Sequence, residues 1–237
     1  YRADEDVVLL VIGGEHFRVA VEKVEQIAEH LRDAVLAAGD AVGERLRIAL
    51  AELSLGRTDR LSTDIGPVIT AEAKVNIERH IAKMREAGHR VEQLALPHEA
   101  GKGTFVAPTI IEIDSIAQIG REVFGPVLHV VRFPRDAMAA LVDAINATGY
   151  GLTFGLHTRL DETIEAVTAK AAAGNIYINR NIIGAVVGVQ PFGGEGLSGT
   201  GPKAGGPHYL LRFASERTLT VNTTAAGGNA SLLTLDE

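Results

Sequence analysis

The chain has no cysteine and no tryptophan among its 237 residues, and only 5% of them are aromatic. Without cysteine, these residues can form no disulfide, no thiolate zinc site and no thiolate nucleophile. The net charge of −7 and the scarcity of aromatics are unlike nucleic-acid-binding domains, which carry a basic surface and often aromatic stacking platforms. We therefore expect no nucleic-acid partner.

Long apolar runs are also missing. No stretch reaches the ~20 apolar residues that cross a bilayer as a helix, so we expect no membrane span. The apolar run at residues 7–12 follows four charged residues and is too short for a signal peptide. At 237 residues and 46% hydrophobic composition, the chain can build a sizeable core in one large or two small domains. These features predict a globular, cytoplasmic chain.

The spacing of apolar residues predicts strands that alternate with helices. Predicted strands cover residues 7–12, 91–96, 104–113, 127–133, 152–156 and 175–179. Predicted helices cover residues 19–36 and 42–55, a segment whose shared face is Ala73, Ile77, Ile81 and Met84, and two segments capped by Asp136 and Asp161. Pro108 is expected at an edge or a strand end because it lacks an N–H donor. This alternation is typical of an α/β fold.

Glu122 and Phe124 lie in a predicted turn, just before the strand at 127–133. A Gly-Pro pair follows them, and turn formation alone is enough to explain it. The alternative is a ligand site, in which the Glu122 carboxylate accepts hydrogen bonds from ribose hydroxyls and Phe124 forms an apolar wall for a ring. Both interpretations stay open on sequence grounds.

Glycine is concentrated near the C-terminus, where nine of the 26 glycines fall between Gly184 and Gly206. A glycine-dense loop at residues 179–194 follows the last predicted strand. Backbone N–H groups of such a loop can approach a ligand closely and hold a carboxylate without a cation. A crowded turn packed on its neighbours is the structural alternative.

Three other kinds of site receive little support. Residues 199–203 lack the Gly-Lys-Ser/Thr ending of a phosphate loop, so we expect no nucleoside triphosphate site. The eight histidines show no metal-ligand spacing, and no metal site is predicted. Ser198 stands in only half of a Gly-x-Ser-x-Gly elbow, which leaves a serine hydrolase as a third alternative for the function.

Five motifs, taken in order, carry a resemblance to a known family. They are TDIGPVI at 63–69, GTFVAPTI at 103–110, EVFGPVL at 122–128, NATGYGLTFG at 146–155 and GVQPFGG at 188–194. Their order and spacing resemble the C-terminal half of the aldehyde dehydrogenase superfamily, over residues 46–237. The resemblance implies an α/β catalytic domain with an open twisted sheet flanked by helices, followed by a terminal β segment for oligomerisation.

Within that superfamily, EGLSGTGPKAGGPHYL at 195–210 and TVNTTAAGGN at 220–229 are similar to the bacterial proline utilisation A family. That family joins an FAD-dependent proline dehydrogenase to an NAD-dependent dehydrogenase of L-glutamate-γ-semialdehyde, which is formed from Δ1-pyrroline-5-carboxylate. The resemblance implies that this chain is part of the second enzyme, with NAD as cofactor, and that FAD belongs to a module elsewhere. It divides the chain into an unassigned βα segment (1–45), a catalytic-domain portion (46–217) and a terminal strand and tail (218–237).

The resemblance also implies roles for individual residues. Glu122 and Phe124 would contact the nicotinamide ribose and ring of NAD. Gly184 and Ala185 would lie in the loop whose N–H groups anchor the substrate α-carboxylate, and Phe192 would line the aliphatic chain of the aldehyde. The strand at 218–222 would make the protein a homo-oligomer.

The chain departs from the family at the reactive centre. The family attacks the aldehyde with a cysteine thiolate and hydrolyses the thioester with the help of a glutamate. Counting along the motifs places the nucleophile near Gln26, and Val11 stands where a Glu-x-Gly-Gly motif would hold the base. We therefore assign no catalytic residue and expect no activity from this chain alone. It is either part of a dehydrogenase or a non-catalytic assembly domain of a larger proline-utilisation enzyme.

Overall fold

The computed structural model describes residues 41–180, 182, 185–186, 188–199, 201–222 and 225, apart from the side chains of residues 41, 42, 45 and 99. The helices of this part are α1 (Ala41–Glu52), α2 (Ala71–Glu86), α3 (Met138–Ala147) and α4 (Asp161–Lys170). The strands are β1 (Arg90–Gln93), β2 (Thr109–Ile113), β3 (Val127–Val131), β4 (Tyr150–Gly151), β5 (Thr153–Leu156), β6 (Asn175–Ile178) and β7 (Glu195–Gly196). The predicted strand at 7–12 and helix at 19–36 lie outside the described residues.

Parallel strand pairs place the protein in the predicted α/β class. β2 lies between β1, to which it is antiparallel, and β3, to which it is parallel. β5 and β6 form a second parallel pair, and α4 connects them as in a β-α-β unit. β4 and β7 form a short antiparallel ladder. The expected single open sheet is thus seen, in the described residues, as one three-stranded sheet and two smaller ladders.

β2 and β3 of the three-stranded sheet are buried on both faces, which explains why their sequences are mostly apolar, whereas the edge strand β1 is polar and only partly buried. Ile110 packs with the apolar side of α1, in a cluster that includes Leu46 and Leu50. Ile111 points to the other face and packs with Ile77 of α2. Each such aliphatic side chain contributes about 1.5–3 kcal/mol when fully buried. Periodicity predicted both helices, and the alternation along β2 explains why each covers its own face.

A smaller core joins α3 and α4 to the β5–β6 pair. Its buried members are Val142, Leu156 and Val167. This second core is the platform from which the glycine-rich segment emerges at the end of β6.

Two predicted helix caps are wrong. Asp136 lies inside a short 3₁₀ turn at Arg135–Ala137 that leads into α3, whose N-cap is Ala137. Asp161 is the first residue of α4, and Leu160 precedes it without a side-chain cap. In that first turn the Asp161 carboxylate faces the positive end of the helix dipole, which is favourable without capping geometry.

The strands are shorter than predicted. β2 begins only at Thr109, so Pro108 stands at the strand end, as expected, and its carbonyl accepts from the N–H of Leu94 at 3.0 Å. The predicted strand at 152–156 begins at Thr153, and the one at 175–179 stops at Ile178. Asn179 ends the latter because its φ of 54° lies in the left-handed region.

The strand expected at 218–222 is not formed. Residues 214–222 have no regular secondary structure and are exposed, with Leu219 at 81% and Val221 at 67%. An extended segment becomes a strand only when a neighbouring strand supplies its hydrogen bonds, and this segment pairs with none of the strands in the described part of the chain. Among the described residues, every helix is too short or too polar to cross a membrane.

Candidate functional site

The turn that carries Glu122 and Phe124 is held by packing against α2. It connects a 3₁₀ turn at Ile116–Gln118 to β3. Gly125, which directly follows Phe124, is buried against α2, and a Cβ there would collide with the Ile77 side chain. Glu122 is exposed and Phe124 is 45% exposed. The turn thus presents a carboxylate and an aromatic ring, two residues apart, above a rigid sheet.

The second set of predicted site residues follows β6. Asn179 begins this loop, and its side-chain amide bonds both the N–H and the carbonyl of Thr158, each at 2.9 Å. The Arg180 guanidinium lies 4.5 Å from the ring centre of Tyr177, a cation–π contact. Gly184 lies outside the described residues, and Ala185 is half-buried.

A tight turn closes the loop directly after Ala185. The side-chain oxygen of Gln190 accepts from the N–H of Val186 at 2.9 Å, and the N–H of Gln190 returns to the Val186 carbonyl at 2.9 Å. Gly188 has a φ of 81° within this turn, where a side chain would be strained. Sequence reasoning missed Gln190, because nothing in the apolar spacing marks an amide that closes a turn four residues back.

Phe192 is half-buried and its backbone is fully paired. Its N–H donates to the Ala204 carbonyl at 3.0 Å, and its carbonyl accepts from the Ala204 N–H at 2.9 Å. Asn175 of β6 holds the two residues on either side of it, accepting from the N–H of Gly193 at 3.1 Å and donating to the carbonyl of Pro191 at 3.0 Å. No motif or spacing in the sequence marked Asn175 as part of this site.

Close packing accounts for several glycines of this region. A Cβ on Gly174 would fall on the carbonyl oxygen of Gly193, and one on Gly199 would fall on the carbonyl oxygen of Gly194. The crowded-turn interpretation therefore applies to residues 193–199. The ligand-binding interpretation then applies only to the first half of the loop, which contains Gly184 and Ala185.

Ser198 has a structural partner. Its hydroxyl oxygen accepts from the N–H of Gly151 at 3.0 Å and so ties the glycine-rich segment to β4. This bond gives Ser198 a use that needs no nucleophilic chemistry, and the serine hydrolase alternative gains nothing from it.

The predicted site residues thus stand on two separate connections. Glu122 and Phe124 precede β3 of the three-stranded sheet, whereas Ala185 and Phe192 follow β6 of the second parallel pair. The first connection offers a carboxylate and a ring, and the second offers backbone N–H groups and an aromatic side chain. The turn before β3 therefore suits a ligand with hydroxyl groups. The loop after β6 suits a ligand with a carboxylate and an aliphatic chain.

Comparison with known sequences decides the family. The sequence profile of the aldehyde dehydrogenase family matches residues 37–219. The chain belongs to the aldehyde dehydrogenase family. The predicted resemblance is therefore confirmed.

Three similar proteins narrow the comparison within the aldehyde dehydrogenases. The bifunctional protein PutA of Rhizobium meliloti is 69% identical over 154 residues, which are 65% of this chain and 13% of that protein. A mutant of proline utilization A (PutA) from Bradyrhizobium japonicum has a solved structure with 53% identity and a TM-score of 0.69, covering 78% of this chain and 18% of that one. The 1-pyrroline-5-carboxylate dehydrogenase from Thermus, solved with bound NAD, has 34% identity and a TM-score of 0.65, covering 84% and 40%. The chain thus spans about an eighth of the length of the PutA relative.

Proposed function

We propose that this chain is part of an NAD-dependent L-glutamate-γ-semialdehyde dehydrogenase of proline catabolism, which oxidises the semialdehyde to glutamate. The observation that carries the proposal is the loop after β6, in which a turn closed by Gln190 directly follows Ala185 and the backbone of Phe192 is paired with that of Ala204. Similarity to a bifunctional PutA and to a 1-pyrroline-5-carboxylate dehydrogenase supports this assignment.

The loop after β6 would bind the substrate. N–H groups around Gly184 and Ala185 would hold the α-carboxylate, since backbone donors can bind an anion without a neighbouring cation. Phe192 would line the aliphatic chain, where a flat apolar side chain loses little entropy on contact. Together these contacts would select a substrate with a carboxylate at one end and an aldehyde at the other.

The turn before β3 would bind the cofactor. The exposed Glu122 carboxylate suits ribose hydroxyls as hydrogen-bond donors, and the partly exposed Phe124 ring suits the nicotinamide as a planar neighbour. NAD would supply the hydride acceptor for the oxidation. FAD would belong to a proline dehydrogenase module of a longer polypeptide.

The nucleophile would come from outside these 237 residues. Aldehyde oxidation in this family needs a thiolate and a water-activating carboxylate, and this sequence has no cysteine. We propose that the chain is inactive alone and that a longer polypeptide supplies both groups. The segment at 214–222 has exposed apolar side chains at Leu219 and Val221, which supports a homo-oligomer in which a second copy provides a strand partner.

A non-catalytic assembly domain is the second candidate, and the complete absence of cysteine favours it. The full-length source polypeptide separates the two candidates, and its intact mass tells whether this chain is a fragment of it. The catalytic proposal requires a single longer polypeptide whose other segments bring the cysteine. If the source polypeptide carries a separate, complete dehydrogenase, the role of this chain is assembly.

A pair of substitutions in the source polypeptide tests the two site assignments against each other. Phe192→Ala is expected to raise the KM for the semialdehyde about tenfold and leave that for NAD unchanged, because a buried aromatic contact contributes about 1–2 kcal/mol. Phe124→Ala is expected to do the reverse. Each variant serves as the control of the other. Equal effects of both variants on both KM values would contradict the assignment.

A further inference from the structure

The amide of Asn175 bridges the two residues that flank Phe192. Asn175 is the first residue of β6 and is only 9% exposed. Its nitrogen donates to the carbonyl of Pro191 at 3.0 Å, and its oxygen accepts from the N–H of Gly193 at 3.1 Å. One side chain therefore satisfies the backbone on both sides of the aromatic residue.

Phe192 itself is held from the opposite direction. Both of its backbone groups pair with Ala204, at 3.0 and 2.9 Å. Four backbone groups of residues 191–193 are thus fixed, two by a strand-like pair and two by a single amide. Because rotation of the backbone about Phe192 would break bonds on both edges, the direction of its side chain is set before any ligand arrives.

Only an amide can make this bridge at that position. The bridge needs one donor and one acceptor on a short side chain, which asparagine provides. The isosteric aspartate keeps the acceptor for Gly193 but replaces the donor by an oxygen that faces the carbonyl of Pro191. Burial makes that replacement costly, because a buried carboxylate beside an acceptor has no compensating bond.

We infer that Asn175 is a positioning residue of the substrate site, which fixes Phe192 in the orientation that receives the aliphatic part of the aldehyde. The inference rests on the proposed function of Phe192, and it adds a residue that acts on substrate only through the loop. It explains why a polar side chain is buried at the start of β6.

Asn146 provides a matched control. Its side-chain amide also makes one donated and one accepted bond to backbone, to the Lys170 carbonyl at 2.8 Å and from the Ala172 N–H at 2.9 Å. These bonds tie α3 to the end of α4. Asn146→Ala therefore removes the same kinds of bond but none of the bonds to residues 191–193.

The test compares Asn175→Ala, Asn175→Asp and Asn146→Ala in the source polypeptide, by steady-state kinetics and by hydrogen exchange followed by mass spectrometry. Both Asn175 variants are expected to raise the KM for the semialdehyde about five- to tenfold, which corresponds to the loss of one or two hydrogen bonds. The KM for NAD stays unchanged, and exchange at residues 191–194 becomes faster. Asn146→Ala leaves both KM values and that exchange unchanged.

Several results would overturn the inference. An unchanged semialdehyde KM in the Asn175 variants would do so even if exchange at 191–194 became faster. An equal rise of the semialdehyde and NAD KM values in the Asn175 variants would also overturn it. The same holds for a wild-type semialdehyde KM in Asn175→Asp, or for an equal change of that KM in Asn146→Ala. If the wild-type polypeptide does not oxidise the semialdehyde, the proposed function fails first and the positioning role fails with it. Turnover by the wild type together with unaffected Asn175 variants overturns the positioning role alone.

Discussion

The sheet formed by β1, β2 and β3 and the glycine-rich segment after β6 differ in what fixes their backbone. Ile111 of β2 and Val127 of β3 are completely buried in the apolar cluster that the sheet forms with α2. The segment around Phe192 is only half-buried, and the side-chain amide of Asn175 holds it from β6. Apolar burial is non-directional, whereas a hydrogen bond fixes both distance and angle. A segment that leaves its side chains open to a ligand can therefore still be rigid.

The largest expected effect comes from removing a buried side chain of the sheet, which tests whether apolar burial fixes this region. Ile111→Ala is expected to lower the free energy of unfolding by about 2–5 kcal/mol, because it leaves a cavity in a site with 0% exposure. Urea unfolding followed by circular dichroism measures this change. The control Ile69→Ala, at a position 81% exposed, is expected to change little. A similar loss in both variants would contradict the importance of burial in this sheet.

The next prediction tests what holds the glycine-rich segment, by adding one methyl group to a glycine that contacts it. Gly174→Ala would push a Cβ onto the Gly193 carbonyl oxygen, and such overpacking costs about 1–3 kcal/mol. Hydrogen exchange is expected to speed up at residues 191–194 and to stay slow in β2 and β3. Gly101→Ala is the control, since a Cβ there meets nothing within 4 Å. Unchanged exchange in Gly174→Ala would show that close packing does not hold the segment.

An ion-pair network sharpens the comparison, because directional bonds also occur at the edge of the sheet. The Arg47 guanidinium on α1 contacts Glu92 of β1 at 2.7 Å and Glu112 of β2 at 3.6 Å. Arg47→Met is expected to lower the free energy of unfolding by about 1 kcal/mol, less than a core substitution. Arg57→Met removes the exposed pair with Asp59 and is expected to have no measurable effect. Equal losses in urea unfolding would contradict this ranking.

The smallest expected effect concerns pH. Nε2 of His80 on α2 lies 2.8 Å from Nε2 of His129 on β3. Burial, and secondarily the charge of Lys83, lower the pKa of His80 below its usual value. The unfolded chain therefore binds more protons, so the contribution of His80 is complete above the unfolded pKa of about 6.5 and is lost as the pH falls below it.

Thermal unfolding between about pH 7 and pH 5 measures this contribution. The midpoint is expected to fall less with pH in His80→Gln than in the wild type. His98→Gln, at an exposed position, serves as the control and should keep the wild-type slope. A His80→Gln slope as steep as that of the wild type would contradict the assignment.

The elements held by apolar burial could be predicted from the sequence, whereas the hydrogen bonds that hold the glycine-rich segment could not. The spacing of Ile77, Ile81 and Met84 predicts α2, because burial against one face repeats with the helical period. Asn175 follows no period, since it bonds backbone that only the tertiary fold brings near it. Gln190 bonds backbone four residues back within a turn, which apolar spacing does not mark either. The Asp161 cap failed because a polar residue before a helix favours an N-terminus without fixing which residue occupies the cap.

The family motifs predicted more of the candidate site than periodicity did. They singled out Glu122, Phe124 and Phe192, which the structure places on two well-anchored connections. Their roles as cofactor and substrate contacts stay predictions. The motifs did not reveal how the loop is held, because a motif marks residues along the chain and not the amide that reaches them from another strand.

Reduction of NAD in the presence of glutamate semialdehyde tests the central claim most directly. The 237-residue chain and the longer source polypeptide are assayed side by side at equal concentration, with NADH followed by its absorbance. The account predicts turnover by the source polypeptide and none by the chain alone, which has no cysteine to attack the aldehyde. Turnover by the isolated chain, or none by the source polypeptide, would contradict it.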